Sequence, residues 1–185
     1  EMDVDSITFE LDLIRFSGLN TLRIFLRHGD LFMCPGNGAV PVSSAFTRLD
    51  TFIHAASERG FRLILVLNHA PDLVTFPLYD MPQFNTEQMA FIARRYSTEP
   101  AVVAYDVRDA GDADYNPGSP FTREQVLNWL NQAATIIRDN APAQYVTAGW
   151  HHEPEVTAPL VDFVSFQHFG STDALRQQIA ILRDS

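Results

Sequence analysis

The stretch Val102–Tyr115, VVAYDVRDAGDADY, decides how this chain is read. It opens on an apolar run, Val102 to Val107, that reads as a strand, and it then gathers four acids, Asp106, Asp109, Asp112 and Asp114, around the strand's C-terminal end. Four other runs rich in β-branched and aromatic residues read the same way: Thr21 to Leu26, Arg62 to Leu67, Tyr145 to Trp150 and Phe163 to His168. Helical patterns separate the first four, at about Ser44 to Glu58, Thr86 to Tyr96 and Arg123 to Arg138. Thr122 with Gln125 has capping-box spacing at the head of the third, and Asn85 with Gln88 suggests a similar start for the second. A further helix ends near Phe16, and another runs from about Thr172 to Arg183. Strand and helix alternate, which implies a parallel sheet covered by helices.

Two architectures fit this order: an open doubly wound sheet, complete with five strands, and a section of a (β/α)8 barrel. The full barrel typically takes ~250 residues, more than the 185 present. The polar residues favour the barrel. Every strand ends in side chains able to do chemistry: Arg27 and His28, Asn68 and His69, Asp109 and Asp112, Trp150 with His151 and His152, and Gln167 with His168. An open sheet gathers ligand groups at one switch point, whereas a barrel draws them from every strand end. The glycine pair in CPGNG, Gly36 and Gly38, sits in a long loop and not between strand and helix, so it is a weak dinucleotide signal.

Composition narrows the function. The formal charge of −10 sets 23 acids against 13 basic residues, all of them arginine, and there is no basic run to track nucleic acid. No apolar run approaches the ~18 residues of a membrane span, and the first residues, EMDVDS, lack a signal peptide's basic start and apolar centre. Cys34 is the only cysteine, which excludes an internal disulfide or a cysteine-based zinc site. No cofactor is expected. Asp109, Asp112 and Asp114 hint at calcium but lack the glycine and closing glutamate of a helix-loop-helix site. His151 and His152 are adjacent on extended chain and so diverge, which suits the flank of a groove better than zinc. Strand alternation puts Asp106, Arg108 and Ala110 on one face, where Asp106 and Arg108 pair with each other, and turns Asp109 away. Trp150, a flat ring at a strand end, suits either stacking on a sugar or core packing.

The runs GLNTLRIFL, ERGFRLILVLN, FIARRYSTEPAVVAYDVRDAGDADY and VDFVSFQHFG resemble the cellulase-type glycoside hydrolases of the family 5 kind, in the clan of retaining (β/α)8 glycosidases. The resemblance implies a single barrel domain over residues 1–185, incomplete at both ends, that contains about the second to sixth strands. It implies a β-linked oligosaccharide or polysaccharide ligand and an extracellular or cell-envelope setting. Arg23 matches the family's second-strand arginine beside the nucleophile. His69 and His168 match positions that are similar to substrate-binding ones, and Arg27 and Trp150 are expected to join them in one cleft. The family's fourth strand ends in asparagine and the acid/base glutamate, where this chain has Asp109 and Ala110. The nucleophilic glutamate belongs to a seventh strand, beyond Ser185. Retaining glycosidases need two carboxyl groups ~5–5.5 Å apart, and an alanine methyl supplies neither, so Asp112 is the candidate substitute acid.

Three readings follow: a glycoside-hydrolase-like domain without hydrolytic power, a portion of an active retaining β-glycosidase completed by other strands, and a structural or interaction module on a barrel scaffold. In each, another chain or further segments are expected to cover the open sheet edges.

Overall fold

The computed structural model describes residues 4–33, 38–69 and 78–184, so Cys34 and Gly36 lie outside the described residues. Helix α1 (Val4–Phe16) leads into strand β1 (Thr21–Phe25). A short helix α2 (His28–Leu31) and the small strands β2 (Phe32–Met33) and β3 (Val40–Pro41) follow, then α3 (Ser43–Glu58), β4 (Arg62–Val66), α4 (Pro82–Tyr96) and β5 (Val102–Asp109). The chain continues through α5 (Arg123–Asn140), β6 (Tyr145–Trp150), β7 (Ser165–Phe166) and α6 (Thr172–Asp184), with 3-10 turns at Gly111–Tyr115 and Pro154–Thr157.

Strands β1, β4, β5, β6 and β7 form one sheet in that order, and every pairing is parallel. This is the expected section of a (β/α)8 barrel. The antiparallel pair β2–β3 lies apart, in the long loop after β1. In a flat sheet β1 and β7 would stand about 19 Å apart, at ~4.8 Å per neighbour. Yet Arg23 on β1 and Gln167 just past β7 both bind the same Asp109 carboxylate, so the sheet curls around a concave face.

Its convex face is buried under helices. Leu63, Leu65, Tyr105, Val107, Val146 and Ala148 are sealed there, and α5 meets them with Val126, Trp129, Leu130, Ala133, Ala134 and Ile137, a three-four spacing that makes one apolar stripe. Helix α5 starts at the capping box read from Thr122 and Gln125, both of whose hydrogen bonds form.

Two element boundaries differ from the sequence reading in ways that bear on the site. Helix α4 begins at Pro82, a residue suited to a first turn, and Asn85 lies inside it, exchanging side-chain hydrogen bonds with buried Asn68 instead of capping. The last strand is only Ser165–Phe166, because Asp162 and Phe163 are used in side-chain and carbonyl bonds to Val146 and Thr147.

Candidate functional site

Strand β5 carries two irregularities, one opposite β4 at Val102–Ala104 and one opposite β6, and the site depends on the second. Asp106 pairs with Thr147 but Asp109 pairs with Gly149, so three residues on β5 face a two-residue step on β6. The extra residue turns both Asp106 and Asp109 onto the concave face. Arg108 goes to the other side, where it makes a buried ion pair with Asp114, which also accepts from the Tyr79 hydroxyl. The expected Asp106–Arg108 pair is therefore corrected: Asp106 pairs with Arg23 and Arg108 with Asp114. Asp109 does not turn away but becomes the hub of the cleft.

Asp109 Oδ1 accepts from Arg23 at 2.6 Å and from the Gln167 amide at 2.9 Å, while Oδ2 lies 2.8 Å from His69 Nδ1. Asp106, fully buried, accepts from Arg23 and from the Gly149 amide. Only a glycine allows this approach, since a Cβ at position 149 would lie 2.8 Å from both Arg23 and Asp109. Burial raises the Asp106 carboxyl above its ordinary range, against the opposing Arg23 charge and hydrogen bond. For Asp109, burial pushes upward, but hydrogen bonds from Arg23 and His69 outweigh it and hold the group below the usual carboxylate range.

Ala110 follows in left-handed backbone, φ 55°, at the head of the 3-10 turn. Asp112, in that turn, is buried and accepts from the backbone N–H groups of His151 and His152, at 3.1 and 2.8 Å. It ties the loop after β6 to the loop after β5 and is not aimed into the cleft as a substitute acid.

The structure also corrects the placing of Trp150 and Arg27. Trp150 is 0% exposed, on the face of Val146 and Ala148, with Nε1 donating to the Tyr115 hydroxyl. It packs over Gly111, whose hydrogen is all the ring leaves room for, and offers no sugar platform. The strand's period of two carried that signal: Thr147 and Gly149 are the concave residues. Arg27, with a side chain 83% exposed, turns outward to Asp30, along an outer groove shared with Arg48 and Phe52 of α3. His168 lines a separate recess of about 430 Å³ beside Gln167, His151 and His152, and Phe169 stacks on His151 at 5.7 Å. Of the sequence candidates, Arg23, His69 and Asp109 meet directly, and His168 flanks them. Gln167 and Asp106 complete the constellation, and the extra residue in β5 that brings Asp109 in beside Asp106 leaves no mark in the sequence. Among the described residues no group of three or more histidine, cysteine, aspartate or glutamate side chains is placed to hold a metal ion.

Fold and strand ends together define part of a (β/α)8 barrel, its polar residues gathered at the C-terminal ends of the strands. Solved structures agree. The GH5_18 protein from Streptomyces cattleya, in complex with Manβ1-4GlcNAc, matches with a TM-score of 0.75 at 18% identity, over 91% of this chain and 47% of its own. The endo-β-1,4-mannanase from Thermotoga petrophila matches at 0.62 and 20% identity, over 81% and 40%, and the endo-1,4-β-mannanase from Rhizomucor miehei at 0.74 and 13%, over 100% and 71%. The chain spans less than half the length of the first two. The likeness is one of fold: the chain has the architecture of the family 5 glycoside hydrolase barrels, in part. No family model and no curated protein matches the sequence.

Proposed function

We propose that this chain is a glycoside-hydrolase-like barrel section whose concave cleft holds a β-linked oligosaccharide, manno- or gluco-configured, and that as given it does not hydrolyse glycosidic bonds. One observation carries the reading. The convergence of Arg23, His69, Asp109 and Gln167 at the strand ends offers donors and acceptors for sugar hydroxyls, while Ala110 stands next to Asp109 with no acid to give. Both concave carboxylates are already committed. Asp106 is sealed from solvent, and Asp109 accepts three hydrogen bonds, so neither is a free proton donor to a leaving oxygen. Structural neighbours whose names specify β-mannan enzymes support the ligand class. The family resemblance favours an extracellular or cell-envelope setting.

The scaffold reading keeps one observation in its favour: Trp150 and Asp112 are both spent on structure. Calorimetric titration with manno- and cello-oligosaccharides separates the two. Weak binding that His69→Ala abolishes is expected. Absence of binding by either sugar series would support the scaffold.

A further inference from the structure

Among the concave groups His69 differs from the two carboxylates in being open to solvent, with 52% of its side chain exposed. Its ring is nonetheless held. Nδ1 lies 2.8 Å from Asp109 Oδ2, and the Phe25 ring meets the imidazole edge-on at 4.7 Å. Asp109, kept ionised by Arg23 and His69 against the upward push of burial, can only accept. His69 must therefore donate from Nδ1, which leaves the lone pair of the neutral ring on Nε2. The charged groups around it are Asp109 and Asp106 on β5 and Arg23 on β1; Gln167, past β7, is neutral.

We infer that Asp109 fixes the His69 tautomer so that Nε2 faces the cleft as a hydrogen-bond acceptor for a hydroxyl of the bound ligand, with Asp109 as its positioning residue. The ligand hydroxyl donates to Nε2, while Nδ1–H stays bound to Asp109. The identity of the ligand rests on the oligosaccharide reading. The tautomer does not.

Nitrogen-15 NMR of the whole chain, recorded at a pH where the imidazoles are neutral, reads the tautomer without any substitution. Nδ1 protonated and Nε2 bare is the expected state, and a His69 protonated on Nε2 overturns the inference. In Asp109→Asn the amide oxygen is drawn to the Arg23 and Gln167 donors, so its NH2 faces Nδ1 and the tautomer inverts. Acylation of His69 by diethyl pyrocarbonate, followed by mass spectrometry, should then slow severalfold at the same pH, with His69→Gln as the blank. An unchanged rate in a folded Asp109→Asn chain counts against Asp109 as positioning residue. Added mannotriose or cellotriose should protect His69 from the reagent. The expected tautomer without protection upholds the Asp109–His69 pair but overturns the oligosaccharide as its partner.

Discussion

Arg23 is the residue on which the cleft's electrostatics turn, because one guanidinium holds two carboxylates of different character. Asp106 is dehydrated and raised, whereas Asp109 is held low. Their contributions to stability run in opposite directions with pH. The Asp109 contribution is present above its unfolded pKa of ~3.9 and is lost as pH falls through its lower folded value. Ionised Asp106 costs stability above its raised folded pKa, and that cost disappears below the unfolded value. Arg23→Met leaves Asp106 a buried charge without a partner, an expected loss of about 3 kcal/mol near pH 7. The loss should shrink as pH falls and Asp106, already raised by burial, takes up a proton; urea unfolding at neutral and acidic pH checks this, and equal losses would contradict the assignment. Ala110 is a second informative residue. Left-handed backbone costs a non-glycine residue about 1 kcal/mol, so Ala110→Gly should raise the unfolding free energy by roughly that amount, less some unfolded-state entropy.

The elements themselves were legible from periodicity. Five apolar runs became five parallel strands, and the Thr122–Gln125 box marked the start of α5. What sequence could not supply was the extra residue in β5, since strict alternation assigns Asp109 to the wrong face and sends Asp106 to Arg108. Trp150 and Asp112 were misjudged for a related reason: a strand-end aromatic and a loop acid look functional until their partners, Tyr115 and the His151 and His152 amides, are known. Their structural use can be measured. Asp112→Ala leaves two loop N–H groups without their charged acceptor and should cost about 2–3 kcal/mol. Gly111→Ala forces a Cβ into the Trp150 ring, with a cost of about 1–3 kcal/mol from overpacking. Thermal unfolding of each, followed by near-ultraviolet circular dichroism of the tryptophans, reports both the loss and the loosened ring. A stable Gly111→Ala chain with an unaltered tryptophan signal would contradict the packing described.

Across the molecule, the five strands curl without closing, and both outer strands have an unpaired side within the described sheet. Phe25, Tyr145 and Phe163 are 45%, 61% and 38% exposed, aromatic surface of the kind that a closed barrel seals. We propose that this face is covered by another chain or by further segments along β1 and β7. The isolated 185-residue chain is expected to self-associate and to bind a hydrophobic dye, whereas a compact monomer by light scattering would argue against an open face. The same geometry supports the proposal that the cleft holds a glycan without cleaving it. A proton donor alone contributes about 10² to 10⁴-fold, far less than a glycosidase's total acceleration, so Ala110→Glu by itself should not restore turnover. The most direct measurement is an assay of the 185-residue chain, with and without Ala110→Glu, on an activated aryl β-mannoside, an aryl β-glucoside and a β-mannan. No release above the uncatalysed rate is expected from either chain. Turnover by the unaltered chain that is lost in Asp109→Asn would contradict the account and make Asp109 a working acid.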